Sequence, residues 1–310
     1  MEKCLFVYNP EAGKGKIKNK EEYIVKRLSE KYQVEVAHSQ YAGNIKEIII
    51  ERGEDFSLIV GAGGDGTLNE IIDAVMNLTK KPVLGYIPAG TVNDVAHSLY
   101  IPRKLKKAVD NILNGQPFSH DILKINDKFG IYVCAAGLFT EASYLTQQHM
   151  KKKIGKVAYM FIGGLSIFRA RPMKLKLTFE SGEIEGRYAI ILINNSRYTA
   201  GLRINKTAVL NDGLVDVMLV ESRKKIIGIF AILKTMFMFV RGIDHYLTRR
   251  HVHHLQLTNF KVEVSENTTI NLDGEKSSSG SFSVSVIKSG VQILVPKIHK
   301  LQKQVMKIDG

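Results

Sequence analysis

Five short stretches hold residues whose types and spacing suit chemistry. "GAGGDGTLNE" runs from Gly61 to Glu70, "PAGTVND" from Pro88 to Asp94, and "NPEAGKGK" from Asn9 to Lys16. "NDG" covers Asn211 to Gly213, and "LDGE" covers Leu272 to Glu275. Glycine-rich turns let backbone N–H groups approach phosphate oxygens. The first stretch also carries Asp65, a carboxylate that would repel a bare polyphosphate. It becomes favourable when Mg²⁺ lies between the two, directly or through water. Mg²⁺ keeps several waters and bonds one or two carboxylates together with phosphate oxygens. Thr67 and Asn69 add donors at the start of the following helix, where anions are welcome.

Gly61, Gly63 and Gly66 also fit G-x-G-x-x-G, so a dinucleotide site must be tested. It needs an acid about twenty positions on, at the end of the next strand, to hold a ribose. That strand, PVLGYI, ends in Ile87-Pro88 with no acid, and the match is fortuitous. PAGTVND again follows a strand and precedes an apolar run. Gly90 permits an unusual backbone angle, Thr91 supplies a hydroxyl, and Asn93-Asp94 can cap the next helix. NPEAGKGK fails the G-x-x-x-x-G-K-[ST] spacing, yet it is a glycine- and lysine-rich turn pointing the same way. Strand-end loops of this kind in neighbouring βα units point to one ligand at the carboxyl ends of an open sheet. NDG and LDGE, read alone, are turns between strands.

The elements that must position these loops follow from periodicity. Over the first 120 or so residues strands alternate with amphipathic helices: LFVY, a helix over 21–30, QVEVA, a helix over 44–51, FSLIV, a helix with Leu68, Ile71, Ile72, Val75 and Met76 on one face, PVLGYI, and a helix ended by Gly115. That alternation builds a doubly wound parallel sheet. After Asp121 short runs of period two take over: MKLKLTF, YAIILI, VDVMLV, HLQLT, KVEVS, TINL, FSVSVI and VQILV, with SSSG at 277–280 as a turn. They predict an all-β second domain, a sandwich, interrupted by helical stretches at about 140–168 and 223–240.

The chain has 310 residues and a formal net charge of +14. A cation of that size suggests an anionic partner, and no motif of interleaved basic and aromatic residues argues for nucleic acid. Cys4 and Cys134 lie in apolar runs and read as two buried free thiols. The N-terminus enters a first strand directly, without a signal peptide. The apolar run from Ile226 to Val240 is too short to span a bilayer and contains Lys234. HVHH at 251–254, with His245 and Asp244 near, is a weak metal candidate. Lys151, Lys152 and Lys153, with Arg169 and Arg171 beyond an apolar stretch, are either a solvated face or a surface that meets an anionic membrane.

NPEAGKG, GGDGTLNE, PAGTVND, NDGLVD and LDGE, in this order and over nearly the whole chain, resemble the bacterial diacylglycerol kinase-like lipid kinases, a family that includes the sphingosine and ceramide kinases. The resemblance implies a nucleotide-binding α/β domain over 1–121, a β-sandwich lipid-substrate domain over 122–288, and a segment 289–310 that returns to the first. It implies an ATP- and Mg²⁺-dependent kinase that phosphorylates the hydroxyl of diacylglycerol or a related lipid at the inner face of the cytoplasmic membrane. ATP would meet Asn9, Pro10, Glu11, Ala12, Gly13, Ser39, Gly64, Asp65, Gly66, Thr67, Leu68, Asn69, Glu70 and Thr91. Asp65, Asp94 and Asp121 would hold a water-linked Mg²⁺ network. A structural Mg²⁺ would take the Asp212 carboxylate and the carbonyls of Val209 and Leu214. The general base would lie in LDGE, with Glu275 first and Asp273 behind it. His97 departs from the arginine many members carry. A kinase of another lipid alcohol and a non-catalytic regulator stay open, as does the oligomeric state, a homodimer included.

Overall fold

The computed structural model describes residues 1–11, 15–137, 172–221 and 252–297. Ala12, Gly13, both long helical stretches, the Lys151–Lys153 run with Arg169 and Arg171, Asp244, His245 and His251, and positions 298–310 lie outside the described residues.

The first half alternates as its periodicity predicts. Strands β1 (Glu2–Tyr8), β2 (Tyr32–His38), β3 (Leu58–Gly63) and β4 (Val83–Pro88) alternate with helices α1 (Glu21–Leu28), α2 (Asn44–Arg52) and α3 (Asp65–Val75). Then come α4 (Asp94–Ser98) and α5 (Leu105–Asn114). β1 lies between β2 and β3, and β3 pairs with β4, all in parallel. Alternation along β1 sends Cys4, Phe6 and Tyr8 to one face, against Ile24 and Leu28 of α1 and Ala108, Val109 and Ile112 of α5. Leu5 and Val7 go to the other face, against Ile45 and Ile49 of α2 and Leu68, Ile71, Ile72 and Val75 of α3. The sheet is therefore wound on both faces. Its order reverses at β1, whose neighbours β2 and β3 lie on opposite sides, the point at which open sheets of this kind bind ligands.

The second half is built from β5 (Gln116–Ile125), β6 (Lys128–Gly130), β7 (Val133–Gly137), β8 (Met173–Phe179), β9 (Gly182–Asn194), β10 (Val215–Glu221), β11 (Val252–Leu257), β12 (Asn259–Glu263), β13 (Thr269–Leu272), β14 (Glu275–Ser279) and β15 (Phe282–Val295). One face of these strands forms its own core from Leu175, Leu177, Ile191, Ile193, Val217, Phe260, Val262 and Val284. Both cysteines are free and buried, and burial pushes the Cys4 thiol up to about 12, so it stays an inert apolar residue.

Two sequence expectations need correcting. FSVSVI and VQILV are one strand, β15. The Ser-Gly between them is a bulge in which residues 288–290 face Asp121 alone on β5, with Ser289 in the left-handed region at φ 54°. EKSSS is likewise a strand, β14, because β13 supplies its ladder despite its polar composition. β5 and β15 form an antiparallel ribbon that starts in the sandwich, where β15 pairs with β12, and ends beside β4, where Ile293 faces Leu84 in parallel.

Candidate active site

The two glycine-rich loops after β3 and β4 meet backbone to backbone. A Cβ on Gly90 would lie 2.6 Å from the Gly64 Cα, and one on Gly63 would lie 2.4 Å from Thr67 Oγ1. The contact is fixed by the Gly63 carbonyl, which accepts from Ala89 N–H (2.7 Å), Gly90 N–H (3.2 Å) and Tyr86 O–H (3.1 Å). Gly90 must be glycine because the Gly64 backbone approaches more closely than a Cβ allows, and Gly63 because Thr67 folds over it.

The capping expected of Asn93 falls to another residue. Asn93 is left-handed (φ 58°) and turns its amide back onto Gly90, accepting from its N–H at 3.0 Å and donating to its carbonyl at 2.9 Å. The first turn of α4 is instead held by Asp65, whose two oxygens accept from Asp94 N–H (3.0 Å) and Val95 N–H (3.2 Å). Burial raises the Asp65 pKa, and these N–H groups pull against it. Asp94, also buried, accepts from Gly201 N–H at 2.8 Å in the loop after β9. A chain of contacts thus runs from GGDGT through PAGTVND into the second half of the protein.

LDGE forms the tip of the β13–β14 hairpin. Asp273 (φ 51°) and Gly274 (φ 90°) are both left-handed, the pattern of a two-residue turn that matches strand twist. Asp273 is not the solvated acid of an ordinary turn. Its carboxylate is buried and accepts from the N–H groups of Ile131 (2.6 Å), Tyr132 (3.0 Å) and Val133 (2.9 Å). Burial outweighs these donors and holds its pKa up to about 7, from 3.8. The stability this group lends is therefore full below about pH 4 and lost as pH rises through about 7. The melting temperature of the parent relative to Asp273→Asn should fall across that window, and a constant difference from pH 4.5 to 8.5 would refute the assignment. Glu275, two positions on, is exposed and lies over the first loop, its Oε1 3.4 Å from where a Cβ of Gly66 would stand. It is also near enough to Glu70 to help raise that group's pKa, behind burial as the main cause.

The three aspartates of the expected network fall in two places. Asp65 and Asp94 sit together, while Asp121 lies at the β15 bulge. Its oxygens accept from Ser289 N–H (2.7 Å) and Gly213 N–H (2.6 Å). Burial raises its pKa, and the charge of neighbouring Asp212 adds to the rise. Asp212 accepts from Leu214 N–H at 3.0 Å, and the buried Oδ1 of adjacent Asn211 has no hydrogen-bond partner. Two carboxylates and an orphaned amide oxygen are the hard donors Mg²⁺ takes, so this loop fits the ion.

The remaining nucleotide candidates line the carboxyl edge of the first sheet. Asn9 Oδ1 accepts from Glu11 N–H (2.8 Å) around Pro10, and Ser39 N–H extends the β1–β2 ladder to the Tyr8 carbonyl (3.0 Å). Leu68 is core, Thr91 is exposed at the loop tip, and Asn69 Oδ1 is a buried acceptor without a partner. Glu70 accepts from Lys46 N–H (3.2 Å) at the start of α2. Val209 and Leu214 flank the NDG loop. His253 and His254 pair with Glu221 (2.9 Å) and Asp216 (2.8 Å), and among the described residues no group of three or more His, Cys, Asp or Glu has metal-binding geometry.

Sequence reasoning passed over the run NNSRYTAG, 194–201, which carries buried Asn194, Asn195, Ser196 and Arg197 and reaches Asp94 through Gly201. Its signal was a polar run directly after the apolar strand YAIILI. Ser98 anchors it, its carbonyl accepting from Arg197 Nη1 (3.0 Å) and its Oγ from Tyr198 N–H (3.1 Å).

Residues 3–125 match the family model described as diacylglycerol kinase catalytic domain, and residues 133–295 match that described as YegS C-terminal NAD kinase beta sandwich-like domain. The chain is 29% identical over 279 residues to a protein of Bacillus subtilis (strain 168) named diacylglycerol kinase, covering 89% of this chain and 90% of that one. A protein of the same name from Staphylococcus haemolyticus (strain JCSC1435) is 30% identical over 226 residues, 71% of this chain and 68% of that one. A crystal structure from Bacillus anthracis str. Sterne shares the fold with a TM-score of 0.82 at 22% identity, over 96% of this chain and 97% of that one.

Proposed function

The chain belongs to the bacterial diacylglycerol kinase-like family of lipid kinases, and from that premise we propose that it transfers the γ-phosphate of ATP to the hydroxyl of diacylglycerol, with Mg²⁺ required. The observation that carries the reading is Glu275, an exposed carboxylate brought from the second half of the chain to within contact of the GGDGT loop. In phosphoryl transfer, positioning and charge neutralisation supply most of the catalysis, and a carboxylate orients the acceptor hydroxyl and takes its proton. Glu275 takes that part: the lipid oxygen bonds to the γ-phosphorus, the bond to the β-phosphate oxygen breaks, and the proton passes to Glu275. Asp273, its oxygens already bonded to three N–H groups, sets the hairpin that aims Glu275.

In this reading the loop backbone of Gly63–Gly66 and Pro88–Thr91 cradles the phosphates, and the unpartnered Asn69 Oδ1 is an acceptor the nucleotide would satisfy. When bound, Mg²⁺ neutralises phosphate charge, and Asp65 and Asp94 are the carboxylates that would hold it through water. A radiolabelled-ATP assay against lipid alcohols in mixed micelles tests the reading. Diacylglycerol should be labelled in an EDTA-sensitive way, and labelling of none, or of a sphingoid base in preference, would overturn it.

Mg²⁺ at the NDG loop is a second element of the proposal. Asp212→Ala should lower the melting temperature and abolish its rise with added Mg²⁺. Identical melting curves for both proteins, with and without the ion, would remove the structural site. Among the described residues no helix is long and apolar enough to cross a membrane. With a net charge of +14, the protein is proposed to dock reversibly on anionic bilayers. Sedimentation with anionic vesicles, lost in high salt where the Debye length shrinks to about 3 Å, is the expected result. Equal binding to neutral vesicles would count against it.

A further inference from the structure

The end of α4 is reversed by an unusual residue. Ile101 N–H bonds the Ala96 carbonyl at 2.8 Å and Tyr100 N–H bonds the His97 carbonyl at 3.3 Å, the paired bonds that close a helix when the residue after the cap is left-handed. That residue is normally glycine. Here it is Tyr100, at φ 57°, held by its ring against the Arg197 guanidinium 5.5 Å away. Buried Ile101 then anchors the returning chain in the core, and Pro102 keeps it from resuming a helix.

The consequence is the placement of Arg103. Turned back along α4, its Nη2 donates to the Thr91 carbonyl at 3.2 Å and its Nη1 lies 3.4 Å from His97 Nε2. The His97 ring in turn stands edge-on to Tyr198, 5.3 Å between centroids. The guanidinium therefore bridges the tip of PAGTVND and the helix that follows, and its other N–H groups stay available for an acceptor. Two carboxylates, Asp65 and Asp94, act on the same Tyr86 hydroxyl as Arg103 does. The Tyr86 hydroxyl registers this balance: burial and the Asp65 charge raise its pKa, and the Arg103 charge opposes them.

We propose that Arg103 is a phosphate-binding residue, the permanent positive charge of the PAGTVND loop, clamped in place by the Thr91 carbonyl and His97. The proposal rests on the reading that this loop takes ATP. Arginine suits the post, since it cannot lose its proton and presents a planar fork of donors to phosphate oxygens.

Equilibrium binding of ATP and of adenosine to the full chain tests it, alongside turnover. Arg103→Ala should weaken ATP binding about tenfold or more, the scale of a lost hydrogen bond to a charged group, and leave adenosine binding unchanged. Arg103→Lys should restore part of the loss, and the KM for ATP should change more than kcat. Installing arginine in place of the histidine (His97→Arg) on the Arg103→Ala background should recover ATP affinity, because the charge returns to the same spot. Equal losses for ATP and adenosine with a lowered melting temperature would show a merely structural clamp and overturn the proposal, as would unchanged ATP affinity. A parent protein that binds ATP but phosphorylates no lipid would defeat the kinase reading alone, with the contrast between ATP and adenosine still deciding Arg103.

Discussion

Turnover is expected to fall by about 10²-fold or more when Asp65 is replaced by asparagine, the upper range seen when a group that orients a metal site is lost. The substitution isolates charge from shape. Asparagine matches the size of aspartate and keeps one oxygen to accept from the first turn of α4, where Asp65 now bonds Asp94 N–H and Val95 N–H. What it loses is the negative charge set between the GGDGT loop and Asp94. Asp65→Ala should be as inactive and also less stable, since a missing cap costs about 1 kcal/mol. The two variants thus separate the structural task of this side chain from its electrostatic one. An asparagine variant with the parent's turnover would show that Asp65 is only a cap and would end its assignment to Mg²⁺.

The second large effect is expected at the hairpin tip. Glu275→Gln should lower kcat by about 10²-fold or more, the contribution of a positioned general base, with ATP affinity little changed. The residue is exposed and takes no part in the core, so its melting temperature should match the parent's. Asp273→Asn should behave in the opposite way. An asparagine there turns an amide N–H toward the three backbone donors that the carboxylate accepts from, and stability should drop more than catalysis. Full activity in Glu275→Gln together with a folded but inactive Asp273→Asn would reverse the order of the two acids.

Much of this arrangement was legible from residue order. Alternating strands and amphipathic helices announce the wound sheet, because burial on two faces leaves a periodic trace in the chain itself. Gly90 stands out because the Gly64 backbone comes too close for a Cβ, and Gly63 because the Thr67 side chain fills the space one would take. Less legible were features decided by partners distant in sequence. The D-G pair forecasts a turn, but nothing near it foretells that Asp273 is buried under N–H groups from residues 131–133. Asp65 looks like a metal ligand locally, and its bonds to α4 come from residues 29 and 30 positions away. EKSSS carries no apolar alternation, and among the described residues β14 pairs only with β13. The Ser-Gly inside β15 reads as a turn because a bulge and a turn use the same residues, and only Asp121 on the facing strand tells them apart.

The place of β15 in the first sheet bears on how the protein is made. Its last residues lie between β4 and β5, so the sheet over the first 125 residues has a gap that only residues near 293 fill. A growing chain emerges from the ribosome at about 5–20 residues per second, which leaves roughly ten to forty seconds with the β4 edge open. During that interval an unpaired strand is a template for the wrong partner. Nascent chains stalled before residue 282 should therefore be captured by chaperones and cut readily by protease, and chains stalled beyond the sheet's completion should resist both. Equal protease resistance at the two lengths would mean that the first half closes on its own. Otherwise the order of synthesis and the order of assembly differ, and the sheet behind the glycine-rich loops is finished last although the loops are made first.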